Sequence, residues 1–394
     1  MQRPPPPRLA VRTDELAPFL AMEVMERGFE LEAAGREIIH LEIGEPSAAP
    51  PPEALLACRR ALEQGETHYT DSRGLLALRE AIARDCERRS GVAPDPDRIL
   101  VTSGTSPAML LVFSLLVGPG DEVILPAPVY PCYPNFVRYC GGVPVLVPSS
   151  AESGFAIDVA RVAAACTKRT RAIVVNSPAN PTGAVQSRDT LHALAQLGVP
   201  ILSDEIYDGF VYDGARVVSG LGLARDTGAE LFVFDGFSKR YAMTGFRLGW
   251  TVVPEWASAR LRVMQQNFFI SASRFVQHAG IAALEHGAPY VAQQRAACRA
   301  RRDRLVAGLR ALGFGIAHPP AGAFYVLADA RRFGADSRAL SARLLDEAGV
   351  GTTPGIDFGA TAEGMLRFCF AVDDAQLDTA LARLAAVLGG GGRP

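Results

Sequence analysis

Only two of the chain's 40 basic side chains are lysines, Lys168 and Lys239, against 38 arginines. A lysine amine can attack a carbonyl carbon and form an imine, which a guanidinium does not do, so such chemistry has two candidates here. Lys168 sits in Thr167-Lys168-Arg169-Thr170-Arg171, a basic turn before an apolar run, and reads as a solvated surface charge. Lys239 follows the strand-like run Leu231-Phe232-Val233-Phe234 and the turn Asp235-Gly236-Phe237-Ser238, with Arg247 eight positions on. Burial or nearby cations at such a strand end lower an amine's pKa and make it nucleophilic. Arginine would serve as a surface charge in this composition but would not form the imine, which makes Lys239 the candidate Schiff-base former.

Other strand ends carry chemistry of the same kind. After Ile201-Leu202 comes Ser203-Asp204-Glu205-Ile206-Tyr207, and a carboxylate there is costly unless it meets a cation or an N–H group. After Ala172-Ile173-Val174-Val175 comes Asn176-Ser177-Pro178-Ala179-Asn180-Pro181-Thr182-Gly183, whose prolines and glycine fix a non-regular path around Asn180. Taken alone, that stretch reads first as a plain turn. After Ile99-Leu100-Val101-Thr102 come Ser103-Gly104-Thr105-Ser106 and a helical pattern through Met109-Leu110-Leu111-Val112-Phe113. Small residues at a helix start leave N–H groups for an anion, or else one hydroxyl simply caps the helix. Arg367 is the only charge in the apolar stretch from Met365 to Val372, and its planar fork suits a carboxylate.

These residues need a sheet that brings strand ends together. The apolar runs named above, with Val123-Ile124-Leu125 and Trp250-Thr251-Val252-Val253, are short and continuous. Such runs suit strands buried on both faces, so the chain reads as α/β: a mostly parallel sheet flanked by helices. Ligands then bind beyond the carboxyl ends of the strands. After about residue 286 the pattern changes to a helix over Tyr290–Leu312, a strand at Phe324–Leu327, another at Leu366–Phe370 and a last helix ending near Leu388. This predicts a smaller α+β domain, residues 13–46 plus 287–388, to which a helix over Leu16–Ala34 contributes, beside a large domain over 47–286. Residues 1–12, with Pro4 to Pro7, read as an extended lead-in, and 389–394, with Gly389 to Gly392, as a flexible tail.

Composition narrows the classes further. The formal charge is −2, without the positive excess that drives binding to nucleic acid or an anionic membrane. Hydrophobic residues at 48% and charged residues at 21% describe a globular chain rather than a disordered one. No apolar run approaches the roughly 20 residues that cross a bilayer, and prolines stand where a signal peptide would be apolar. The seven cysteines are scattered without a CxxC pair, and the six histidines are isolated without an HExxH, so neither a disulfide frame nor a metal site is expected. A cytoplasmic protein with reduced thiols is the expectation.

Ser238-Lys239-Arg240-Tyr241-Ala242-Met243-Thr244-Gly245-Phe246-Arg247, NSPANPTG over Asn176–Gly183 and SDEIY over Ser203–Tyr207 together form a recognisable pattern. HYTDSRGLLALREAI (His68–Ile82), LEIGEP (Leu41–Pro46), PAPVYPCYP (Pro126–Pro134) and PAGAFYVLAD (Pro320–Asp329) extend it in order. From about Phe19 to Leu388 the chain resembles the class I/II aminotransferases, pyridoxal-phosphate enzymes of the aspartate aminotransferase fold type (fold type I). The first segment is similar to the family's SKxxxMTGxR signature around the Schiff-base lysine.

The resemblance implies roles position by position. Lys239 would hold the cofactor and shuttle a proton at the substrate's α-carbon; Asp204 would keep the pyridinium nitrogen protonated. Asn180 and Tyr207 would bond the ring's 3′ oxygen, and Tyr130 would stack on its face. Gly104, Thr105, Ser106, Ser238 and Arg247 would hold the phosphate, with Tyr69 reaching the site of a second subunit, which implies a homodimer with shared sites. Arg367 would take the substrate's α-carboxylate, with Asn180 beside it, and Gly44 would let the backbone approach. One departure stands out: where many relatives carry a hydroxyl three positions before the lysine, this chain has Gly236. The implied activity is transfer of an amino group from an L-amino acid to a 2-oxo acid such as 2-oxoglutarate by a ping-pong route. General likeness points to an aspartate-type donor, although Ser106 and Pro107 offer no cation for a second carboxylate. A C–S β-lyase or other α-carbon lyase on the same cofactor is the alternative, and a non-catalytic cofactor-binding sensor the second.

Overall fold

The structure is a computed structural model that describes residues 10–389. Seven strands form one sheet in the order Ile99–Thr102, Gly249–Val252, Leu231–Gly236, Ile201–Asp204, Thr170–Asn176, Glu122–Ala127, Val143–Pro148. Gly249–Val252 runs antiparallel to both neighbours, and the pairings from Leu231–Gly236 outward are parallel. The mostly parallel reading therefore holds with one reversed strand. Each continuous apolar run named from sequence lies in this sheet, because alternate residues of a strand feed opposite faces. Leu125, Val174, Leu202, Phe232 and Phe234 pack with Met109, Val112 and Phe113 of the helix Thr105–Leu116. Ile124, Ile173, Val175, Ile201 and Leu231 pack on the other face with Leu191 and Leu194 of the helix Arg188–Ala195. Burying each such side chain contributes about 1.5–3 kcal/mol.

The edge strand Val143–Pro148 has no matching sequence signal. Pro144 and Pro148 argue against a strand, and its side chains are mostly exposed or half-buried. Proline is tolerated there because one side of an edge strand has no neighbour to bond.

A second sheet has three antiparallel strands in the order Thr353–Pro354, Met365–Cys369, Tyr325–Asp329. The helices Ala288–Leu312 and Asp374–Gly389 pack on it through Leu305, Leu309, Leu377 and Leu384. Ile39–His40 pairs in parallel with Val350–Gly351, which joins an early segment to the late ones. The helix expected over Leu16–Ala34 spans Leu20–Ala33. Pro18 disfavours helical backbone at Ala17, and the first turn instead donates the Leu20 and Ala21 N–H groups to the Asp357 carboxylate.

The lead-in and tail need correction where they can be compared. Val11–Asp14 form a short helical turn rather than an extended chain, and Gly389 closes the last helix. Pro4 to Pro7 and Gly390 to Pro394 lie outside the described residues. Among the described residues no helix is long and apolar enough to cross a membrane, and no group of three or more His, Cys, Asp or Glu is placed to hold a metal ion. All seven cysteines are free thiols.

Candidate active site

The carboxyl ends of Thr170–Asn176, Ile201–Asp204 and Leu231–Gly236 open into a cavity of about 480 Å³, closed from the other side by residues of the three-stranded sheet and the helix Leu20–Ala33. Gly44, Thr105, Ser106, Tyr130, Asn180, Asp204, Tyr207, Lys239, Arg247 and Arg367 all line it. Ten residues spread over more than 300 positions of sequence thus meet at one place, where an α/β sheet offers its crevice.

Asp204 is 5% exposed, and burial pushes its carboxyl up to about 6 against the opposing pull of two donors. Those donors are the Tyr133 hydroxyl and the Ile206 N–H, the latter at 3.2 Å. Among the described residues no guanidinium or ammonium pairs with Asp204, so the cavity holds a carboxylate still suited to a cationic N–H partner. Tyr133, in the first turn of the helix Cys132–Tyr139, was not singled out by sequence. Its ring meets the Tyr130 ring edge to face with centroids 5.3 Å apart. Asn176 Nδ2 donates to the Asp204 carbonyl at 3.0 Å, and its Oδ1 accepts the Asn180 N–H at 2.7 Å. Asn176 therefore positions Asn180 together with the proline turn.

Lys239 Nζ donates to the Gly44 carbonyl at 2.6 Å. Burial lowers its pKa to about 8, the direction that favours a free amine. Gly44 is obligatory for a further reason: a Cβ there would lie 1.7 Å from Tyr325 Oη. Tyr325, in turn, shares a 2.8 Å hydrogen bond with the Tyr207 hydroxyl and carries the Arg367 guanidinium 4.4 Å above its ring. It belongs to PAGAFYVLAD, yet nothing in that run marks it as polar machinery rather than core. Lys168, by contrast, is exposed.

Arg367 is 2% exposed. One terminal nitrogen donates to Asn180 Oδ1 at 2.9 Å, the other to the Glu42 carbonyl, and Nε has no partner. A guanidinium this buried that lines a cavity is not a solvated surface charge, and its planar fork suits an anion there.

The helix Thr105–Leu116 begins after Gly104 with no side chain capping it, so its first N–H groups are left to a ligand or solvent. This settles against the ordinary hydroxyl cap. Gly104 has φ +97°, and a Cβ on it would stand 2.7 Å from an Arg247 terminal nitrogen. A Cβ on Gly249 would stand 2.8 Å from the Thr105 nitrogen. Missing side chains thus form a cradle of backbone N–H groups beneath Arg247, fit for a phosphate. Gly236 is glycine because a Cβ would press on the Leu248 carbonyl at 3.1 Å and on Gly249 Cα and Ile206 Cδ1 at 3.2 Å. A larger residue at this strand end would need those neighbours to give by a few tenths of an ångström.

Ser238 is half-buried beside Lys239 and does not line the cavity wall. Tyr69 is 77% exposed and stands outside the wall formed by its own chain.

The family model described as aminotransferase class I and II matches residues 36–384. The aspartate/prephenate aminotransferase of Thermus thermophilus is 38% identical over 388 residues, 97% of this chain and 99% of that protein. The arginine–pyruvate transaminase of Pseudomonas aeruginosa is 36% identical, covering 93% of each chain. The solved structure of aspartate aminotransferase from Thermus thermophilus with maleate superimposes with a TM-score of 0.91 at 37% identity, over 97% of this chain and 100% of that one. Sequence, fold and the gathered residues agree: this chain belongs to the class I and II aminotransferases.

Proposed function

We propose that the protein is a pyridoxal-phosphate-dependent aminotransferase that moves an amino group from an L-amino acid to a 2-oxo acid by a ping-pong mechanism. The observation that carries this is one cavity lined by a half-buried amine of lowered pKa, a buried carboxylate and a buried guanidinium, with no cationic partner for the carboxylate and none for the guanidinium Nε among the described residues. The residues fit the cofactor: the side-chain-free cradle at Gly104–Thr105 and Gly249 suits its phosphate, and Asp204 suits a protonated ring nitrogen.

Thr105, Ser106, Ser238, Arg247 and the Gly104 helix start would hold the phosphate, Tyr130 the ring face, and Tyr207 and Asn180 the ring oxygen. When bound, pyridoxal phosphate supplies an electron sink for charge developing on the substrate's α-carbon. Asp204 would keep a proton on the ring nitrogen, since its own ionised form would be stabilised by that partner. Lys239 would hold the cofactor's aldehyde end and, once released, would carry the proton at the α-carbon; a pKa of about 8 would leave part of the free amine able to accept one near neutral pH. Arg367 binds the α-carboxylate through its fork and orients the α-carbon toward Lys239, while Gly44 keeps that approach clear. Tyr69 serves the site of a second copy, which makes the working unit a homodimer. Residues 13–46 with 287–388 form a small domain against 47–286, and the enzyme works in the cytoplasm.

The test incubates the cofactor-loaded protein with aspartate or other L-amino acids and 2-oxoglutarate or pyruvate. Amino transfer is expected, and K239A should lose it by about 10²–10⁴-fold or more. Normal turnover by K239A overturns the assignment. Release of pyruvate and ammonia from cysteine-type substrates without an acceptor would favour a lyase instead.

A further inference from the structure

The helix Leu20–Ala33 brings Ala21, Met22 and Met25 to the cavity, and Phe19 precedes it. Its start is not held by its own sequence: no side chain of the N-terminal flank caps it. The cap comes from 337 positions away, where Asp357 Oδ1 accepts the Leu20 N–H at 2.9 Å and Oδ2 the Ala21 N–H at 3.3 Å.

Asp357 lies in the turn Gly355–Phe358, which is fixed on three sides. The Ser337 hydroxyl accepts the Ile356 N–H at 3.2 Å. The Phe358 carbonyl accepts the Val129 N–H at 3.0 Å, one residue before Tyr130. The Phe358 ring lies 5.1 Å beneath the Arg367 guanidinium. Beyond Asp357, the Phe19 ring meets the Tyr130 ring edge to face at 5.9 Å, and Tyr130 meets Tyr133, whose hydroxyl reaches Asp204. One short turn therefore touches the floor of the carboxylate seat, the segment that carries Tyr130 and the helix that walls the cavity.

We infer that Asp357 is a positioning residue for substrate binding: its carboxylate docks the helix Leu20–Ala33 against the cavity in register with Arg367. A carboxylate can take two N–H donors at once, and the helix dipole favours its charge there. Without it, Leu20 and Ala21 lose their partners, and the wall built by Phe19, Met22 and Met25 stands away from the substrate. The inference rests on the transaminase reading only for the choice of substrate.

The test compares wild type, D357N and D357A as cofactor-loaded enzymes, using the amino donor with the highest turnover. D357A should raise the KM for that donor by about 2- to 30-fold, the range for a lost helix cap, with kcat within about twofold. D357N should fall between, because its amide oxygen accepts one N–H while its NH₂ faces the other. Hydrogen exchange at Leu20 and Ala21 should quicken by a similar factor, with cofactor affinity and the thermal midpoint of the rest of the protein unchanged. A wild-type KM in D357A overturns the inference, as does unchanged exchange at Leu20 and Ala21. Equal losses in donor and cofactor affinity also overturn it, since they would mark a general loosening. Wild-type enzyme inactive with every donor would sink the transaminase reading instead, and the exchange measurement would still decide whether Asp357 holds the helix.

Discussion

Asp204 should cost the empty protein stability, and D204N should return it. The carboxyl is 5% exposed and is pushed up from 3.8 to about 6 by burial, with Tyr133 and Ile206 pulling the other way. A folded-state pKa above the unfolded one means the native protein binds more protons between about pH 4 and 6, so stability falls as pH rises through that window. Two pK units correspond to about 3 kcal/mol, present in full at pH 8 and about half expressed at pH 5. Asparagine keeps one oxygen for the Ile206 N–H, turns its NH₂ toward the Tyr133 hydroxyl, which rotates to accept, and removes the buried charge. Urea unfolding of cofactor-free wild type and D204N, at equal protein concentration, should therefore show D204N more stable by about 3 kcal/mol at pH 8, with roughly half that gain at pH 5. Adding pyridoxal phosphate should narrow the gap, because the ring nitrogen gives wild-type Asp204 the cationic partner it lacks. Turnover should fall sharply, so the variant trades activity for stability. A D204N protein that is less stable than wild type, or one whose advantage does not change with pH, would refute the reasoning.

Two further outcomes follow from the buried charges. R367K keeps the charge and loses the planar fork, so kcat/KM for amino donors should fall by about 30-fold or more, corresponding to ~2–5 kcal/mol, while the absorption of bound cofactor stays unchanged; a near-normal kcat/KM would remove Arg367 from substrate recognition. Arg240 is 4% exposed and bonds Asp85 at 2.9 Å and Asp235 at 2.8 Å, while Arg89 bonds the same two carboxylates, each at 2.9 Å, and also pairs with Asp208. R240M leaves those acids short of a cation and should destabilise the fold by about 3–5 kcal/mol in urea unfolding, and a loss below about 1 kcal/mol would show that Arg89 alone suffices.

Most of the site was legible because its chemistry depends on residue type. Lys239, Asp204, Asn180 and Arg247 stand at strand ends or in turns, Arg367 is the one charge inside an apolar strand, and the structure gathers all of them. Tyr133 and Tyr325 escaped notice because an aromatic ring in an apolar run looks the same whether its hydroxyl meets a carboxylate or merely fills the core. Asp357 escaped for a different reason. Its partners are backbone N–H groups more than 300 positions away, and backbone donors leave no trace in sequence. Gly236 was visible as a departure, but only the structure shows how tightly Leu248, Gly249 and Ile206 surround that position. The edge strand Val143–Pro148 was hidden because its prolines are forbidden only in strands paired on both sides.

The sequence by itself determined the alternation of apolar runs and helices, hence the α/β sheet, and the nucleophile: with two lysines in the chain and one of them in a basic turn, Lys239 had no rival. Local propensity and side-chain chemistry are properties of residues, so they survive reading in one dimension. Tertiary structure decided what depends on distance: which carboxylate is buried without a cation, which guanidinium keeps a free N–H, and which remote acid caps the helix over the cavity. Those follow from desolvation and hydrogen-bond geometry, which exist only after the strand ends, the small sheet and the helix Leu20–Ala33 have met.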